Sequence, residues 1–252
     1  SGTPSPTYFV KNRISNLAGS ASATIKGIYI FGANVSMTLR IENNTIKLEP
    51  VTTGTVDGID YWGYASNSIY NYYNSIYIGG ATSSGNSYGI NKRANATNFM
   101  VINNTVQNSR TNSSGSASHY AIHISDIITT VLALDNNCYF TDGIGGQLGY
   151  WSTTVCTTLV EWQTATGKDP NSLSSDPLMS LSPTLQPYTG SPLVSAGLPI
   201  VNITTDILNA PRGGATTTIG AFENTIAQPA VDWCNVQHPG THTKLRGVVG
   251  PI

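Results

Sequence analysis

The chain has 252 residues, a formal net charge of −1 and only 10% charged residues, against about 25% in an ordinary soluble domain. It has no basic stripe to release the counterions of a nucleic acid and no polybasic patch for an anionic membrane. No apolar run is long enough to cross a bilayer, so neither a nucleic-acid partner nor membrane insertion is expected.

Polarity comes instead from Ser, Thr and 23 Asn, a composition that fits a secreted or cell-surface protein. The opening "SGTPSPTYFVKNRIS" lacks the basic-then-apolar order of an export signal. It reads as part of an N-terminal edge, an incomplete first coil over residues 1–24 of a processed or excised chain. Two phrases then recur in step. "GIYI" (27–30), "GIDY" (58–61), "GINK" (89–92) and "AIHI" (121–124) are spaced by 31, 31 and 32 residues. Between them lies an asparagine phrase: "IENNTIKLE", "YYNSIYIGG", "VINNTVQNS" and "ALDNNCYFT". Asn44, Asn74, Asn104 and Asn137 are spaced by 30, 30 and 33 residues, and Asn12 precedes Asn44 by 32.

Both phrases alternate with period two, which predicts strands. Ile28, Ile59, Ile90 and Ile122 are assigned to one face, and Tyr29, Asp60, Asn91 and His123 to the other. β-Branched residues, Tyr, Asn and Gly disfavour a helical repeat, and a period near 30 is too short for a propeller blade. The pattern predicts an all-β parallel solenoid over residues 25–226, each strand pairing with its equivalent about 4.8 Å along the axis. Stacking explains the asparagines: an amide both donates and accepts, so a column of them satisfies itself at a corner, where Asn also tolerates left-handed backbone. Asn44, Asn74, Asn104 and Asn137 are therefore a structural ladder. The connections "EPVTTGTVDG", "GGATSSGNSYG" and "NSRTNSSGSASHYA" are expected to form a ridge of flexible polar loops.

After residue 140 the pattern changes. "TTLVEWQTATGKD" (157–169) predicts a short capping helix, with Thr158 and Glu161 as a capping box and Gly167 at its end. The helix and the "IGAFE" segment are expected to close the C-terminal end. The order "LVEWQTATGKDPNSLSSDPLM…LQPYTGSPLVSAG…DILNAPRGGATTTIGAFE" resembles the end of secreted right-handed parallel β-helices of the pectate-lyase-like superfamily. "YYNSIYIGG", "HYAI" and "LGYW" resemble coils of large bacterial surface proteins exported by the type IX route. The resemblance covers about residues 25–223 and implies a right-handed β-helix and export, but no particular activity. Residues 227–252 depart from the repeat and read as a linker or the start of a further domain.

Carbohydrate-cleaving members of that superfamily carry their chemistry on an outward face, which here gives the candidates Asp60, Lys92 and His123. A ligand-binding surface would comprise Tyr29, Asp60, Trp62, Asn91, Lys92, Arg93 and His123. A hydrolase needs two carboxylates about 5 to 9.5 Å apart, and Asp57, read as a loop residue, is the only neighbour of Asp60. No acidic cluster suits calcium, and nothing calls for a metal or other cofactor. His119 and His123 read as solvated histidines, and Arg212 with Asp206 as a closing contact. The tyrosines 61, 64, 70, 72, 73 and 77, with Trp62, are either a stacked ladder or a sugar-binding surface. Cys138 and Cys156 form either a bridge or two buried thiols, leaving Cys234 over.

Two functions stay open. One is a non-enzymatic extracellular module, such as a stalk, adhesin or filament subunit, that self-associates or adjoins other domains of a larger chain. The other is a glycan-binding or glycan-cleaving β-helix.

Overall fold

The computed structural model describes residues 5–32, 36–63, 67–182 and 184–229. The repeats wind into a parallel β-solenoid of five stacked rungs. Strands β1 (Thr7–Val10), β2 (Arg13–Ser15) and β3 (Ile25–Phe31) make the first rung. The second is β4 (Thr38–Glu42), β5 (Thr45–Leu48) and β6 (Val56–Trp62), and the third β7 (Ser68–Tyr72), β8 (Ser75–Ile78), β9 (Ala81–Thr82) and β10 (Ser87–Lys92). Strands β11 (Ala96–Ile102), β12 (Thr105–Asn108), β13 (Thr111–Asn112) and β14 (His119–Ile124) form the fourth. The fifth has β15 (Thr129–Asp135), β16 (Cys138–Thr141), β17 (Gly146–Trp151) and the short antiparallel β18 (Thr154–Cys156).

Equivalent strands stack into three parallel sheets, β1-β4-β7-β11-β15, β2-β5-β8-β12-β16 and β3-β6-β10-β14-β17, with β9 and β13 as a small fourth pair. The register places like on like. Leu39, Ile69, Phe99 and Leu132 are successive partners, as are Ile14, Ile46, Ile76, Val106 and Tyr139 and Ile28, Ile59, Ile90 and Ile122. These columns meet in one apolar core along the bore. Each rung therefore buries its apolar face only because its neighbours do.

Asn44, Asn74, Asn104 and Asn137 run through the corner between the first and second sheets. The backbone N–H and Nδ2 of Asn44 both donate to Asn74 Oδ1, at 3.1 and 2.9 Å, and Asn74 makes the same pair to Asn104 Oδ1 at 3.0 and 2.9 Å. Nδ2 of Asn74 also donates to Ile41 O at 2.8 Å. The column starts at Asn12 and ends where Asn137 Nδ2 meets Asp169 Oδ1 at 3.0 Å. The left-handed backbone lies one residue earlier than the sequence reading placed it, at Lys11, Asn43, Tyr73, Asn103 and Asn136. Turning the chain there leaves the ladder residue outside the left-handed region, with its amide bonded along the column.

Helix α1 (Leu159–Thr166) has its capping box at Thr158 and Glu161 and a left-handed Gly167 at its C-cap. Its one buried side chain, Trp162, joins the bore core, and its Nε1–H donates to Asp169 Oδ2 at 2.7 Å. Among the described residues the helix and β18 close that end, with Cys156 of β18 beside Trp162 in the bore core. "IGAFE" lies along the side instead, where Gly220 N donates to Asn103 O and Ala221 N to Ser75 Oγ. Residues 173–182 and 184–226 run back over the asparagine corner and the sheet beside it. The side chains projecting from the left-handed positions hold them: Asn103 Nδ2 donates to Leu198 O at 2.6 Å, Tyr73 OH to the same oxygen at 2.8 Å, and Lys11 Nζ to Asn209 Oδ1 at 2.6 Å. Arg212 stacks on the Tyr73 ring at 3.7 Å and pairs with Glu223 at 3.1 Å, not with Asp206. Asp206 instead accepts backbone N–H bonds from Leu208, Ala210 and Glu223.

The long connections are ordered rather than a loose ridge. Buried Arg110 donates to Thr52 O at 2.6 Å, Asn86 O at 3.2 Å and Gly54 O at 3.3 Å, tying three turns together. Cys138 and Cys156 are free thiols. They cannot bridge as placed, because Cys138 packs outside the bore with Leu193 and Ile219 while Cys156 packs in the bore core. Burial pushes the Cys138 thiol up to about 12, so it is not a nucleophile. Cys234, Tyr64 and the terminal segment from residue 230 lie outside the described residues.

Candidate functional site

The third sheet carries the site on its outer face. In β6 the alternation slips once: Val56 points inward, Gly58 and Ile59 both face the bore, and Asp57 and Asp60 both face out. Glycine is required at 58, since a Cβ there would lie 2.5 Å from Gly89 O and 2.7 Å from the bore side chain of Ile76. The slip repeats on neighbouring rungs and yields two adjoining outward columns. Lys26, Asp57, Tyr88 and Tyr120 are successive partners in one, and Tyr29, Asp60, Asn91, His123 and Tyr150 in the other. Phe31 and Trp62 pair beside them.

The carboxylates are buried on the floor. Lys26 Nζ bridges them, donating to Asp57 Oδ2 at 2.8 Å and to Asp60 Oδ2. Arg93 grips Asp60 with two bonds, Nε to Oδ1 at 2.9 Å and Nη2 to Oδ2 at 2.6 Å. Asn91 Nδ2 donates to Asp57 Oδ1 at 3.2 Å, and Asn91 Oδ1 faces His123 Nδ1 at 2.9 Å. Burial raises the pKa of Asp57 and the charge of Asp60 adds to this, against the pull of Lys26. Burial works against the Lys26 ammonium, yet its hydrogen bonds to the two carboxylates leave its pKa raised. Burial first, and the Arg93 charge second, lower the His123 pKa to about 4.

Aromatic rings wall a groove of about 380 Å³ above this floor, lined among others by Lys26, Tyr29, Trp62, Tyr88, Arg93 and His123. Lys26 lies 4.6 Å from the Tyr29 ring centre and Arg93 4.5 Å from that of Trp62. His123 sits between Tyr88 and Tyr150, each 4.6 Å away. Three rings at one end stay exposed, Tyr29 by 44%, Trp62 by 47% and Phe31 by 66%.

Tyr29, Asp60, Trp62, Asn91, Arg93 and His123 are thus brought together. Lys92 is not. It occupies the inward column with Tyr61 and Ile124, donates to Asp126 O and lies 5.7 Å from the Phe99 ring centre. Strand alternation forces this: if Asn91 points out, Lys92 points in. Burial lowers its pKa to about 8, but a fully buried amine in the bore meets no ligand.

The tyrosines form no single surface. Tyr61 faces the bore, Tyr70 and Tyr72 pack with Arg40, Tyr73 holds the return segment, and Tyr77 packs on Met179 and Leu185. Of the two histidines read as solvated, His123 is half-buried on the groove wall and His119 is not solvated at all. His119 is buried, with Ser87 Oγ 2.9 Å from Nδ1 and Asn112 Oδ1 2.9 Å from Nε2. That serine–histidine pair has the atoms of a hydrolytic relay, but both residues are buried, so it serves the fold.

Lys26, Asp57, Tyr88 and Tyr120 escape a reading based on strict alternation. The signal was present: the residue before each Gly-Ile or Ala-Ile pair is polar or aromatic on every rung. Among the described residues no group of three His, Cys, Asp or Glu is placed to hold a metal ion. No protein-family model, curated protein or solved structure matches the chain.

Proposed function

We propose that the chain is an extracellular, non-cleaving β-solenoid module that binds a glycan in the groove of the third sheet. The observation that carries this reading is the exposed trio Tyr29, Phe31 and Trp62 at the end of a groove whose floor is polar and fully hydrogen-bonded. Sugar rings bind by setting C–H faces on aromatic rings while their hydroxyls reach fixed polar groups, and this groove offers both. The resemblance to exported β-helices of the pectate-lyase-like superfamily and to type IX-exported surface proteins agrees with that role. So does the scarcity of charge.

Cleavage is disfavoured by the floor itself. Glycoside hydrolysis needs two carboxylates flanking the scissile bond with space between them. Here the Lys26 ammonium fills that space, and Arg93 holds Asp60 with a two-point grip. Lys92, the other candidate base, lies in the bore.

The test is affinity electrophoresis and calorimetry against a panel of soluble polysaccharides, with reducing ends and unsaturated products followed in parallel. Binding without product, weakened about tenfold or more in Trp62→Ala, is the expected outcome. Turnover abolished by Asp60→Ala would replace this reading with a catalytic one. Failure to bind any glycan would leave the stalk or filament reading, which the regular stacking also supports.

A further inference from the structure

Granting that this groove binds a glycan, we infer that its ligand is a neutral glycan rather than a polyuronate. The first reason is that the positive charge in the groove is already used. Lys26 and Arg93 are its cations, and Asp57 and Asp60 directly beneath take up both. A uronate carboxylate entering here would have to displace Asp60 from a two-point guanidinium grip. Otherwise it would sit as a third anion over two buried ones. Either route costs binding free energy that a hydroxyl does not lose.

The second reason is the hydrogen-bonding character of the wall, which follows link by link from the floor. Asp57 can only accept, so the Asn91 amide must turn its Nδ2 toward it. That leaves Asn91 Oδ1 facing His123, and an amide oxygen also only accepts. The proton of the neutral His123 ring is therefore on Nδ1, and Nε2 presents a bare lone pair, with no donor to it among the described residues. Nearby, Tyr88 OH accepts from Asn86 Nδ2 at 3.1 Å, which leaves its own proton to donate. The wall thus offers an acceptor on His123 and a donor on Tyr88, whose rings lie 4.6 Å apart, and sugar hydroxyls, which both donate and accept, can satisfy each. A carboxylate would meet the His123 lone pair with its own.

Calorimetry on the whole chain should compare oligosaccharides of equal length: gluco-, xylo-, manno- and galacto-oligomers against oligogalacturonate and oligomannuronate. At least one neutral series should bind about tenfold or more tightly than either uronate, with little dependence on salt. Asp60→Asn, which frees Arg93, should move the preference toward uronates by about tenfold. If its melting curve shows that it does not fold, His123→Phe serves instead and should weaken neutral binding about tenfold without weakening uronate binding. Uronates binding as tightly as the best neutral oligomer in the unaltered chain would overturn the inference and leave the glycan reading standing. Binding of neither class would overturn both.

Discussion

The asparagine corner and the groove of the third sheet are built by the same device and put it to opposite ends. In both, equivalent residues of successive rungs stack one above another. At the corner the stacked residues are identical, each amide bonds to the next, and the return segment covers the outside. On the groove face they differ from rung to rung: Lys26, Asp57 and Tyr88 in one column, Tyr29, Asp60, Asn91 and His123 in the next. Nothing in the described chain covers them. A column of one residue type stabilises a repeat. A column of different types on the same scaffold concentrates charge, hydrogen-bonding groups and rings at one place, as a binding site requires.

The sharpest way to break the comparison is to cut the ladder. Asn74→Ala removes an acceptor used twice by Asn44 and two donors, all in a dry corner. Buried groups left unpaired cost about 1–3 kcal/mol each, so a loss of about 3–5 kcal/mol is expected in urea unfolding. A loss under about 1 kcal/mol would show that the ladder is ornament.

Removing the cover comes next. Arg212→Ala loses the stack on Tyr73 and the bonds to Asn43 and Glu223, for an expected cost of about 2–3 kcal/mol. Limited proteolysis should then cut within 196–226 first while the rungs survive. Simultaneous loss of the rungs would mean that the return segment is part of the solenoid's cooperative unit.

Acid tests the two histidines together. His119 in the connecting corner and His123 in the groove both have pKa values lowered to about 4, mainly by burial, against about 6.5 when unfolded. Above that value neither state is protonated. Between about 6.5 and 4 the unfolded chain takes protons that the folded one refuses, so stability falls as pH falls, by about 1–2 kcal/mol per histidine. Asp57 and Asp169, with raised pKa values, work the other way, because their charged forms cost most at neutral pH. Denaturation midpoints from pH 7.5 to 4.5 should therefore drop, and His119→Asn should flatten the curve. A profile for His119→Asn as steep as that of the unaltered chain would mean that the His119 ring does not resist protonation in the folded state.

The smallest effect on stability is expected in the groove wall. Trp62→Ala removes an exposed ring, so the melting temperature should move by no more than the equivalent of about 0.5 kcal/mol while the glycan binding proposed for the groove collapses. A large drop in melting temperature would make Trp62 a structural member of the wall.

The sequence by itself determined the periodic part of this protein. Stacking demands the same residue type at the same place on each turn, so the strands, the inward isoleucines and Asn44, Asn74, Asn104 and Asn137 were all legible as spacing. So were the helix and its caps, because Thr158, Glu161 and Gly167 act within one turn of each other. What only the tertiary structure decided is everything that depends on direction or on distant partners. The double inward step at Gly58 and Ile59 brought Asp57 out of a supposed loop to stand beside Asp60. Strand alternation buried Lys92. The left-handed corner placed Tyr73 and Asn103 under a segment more than ninety residues away. A repeat is a local pattern written many times and survives being read as a line. A site is made where different turns present different side chains to the same space, and that space exists only once the chain is wound.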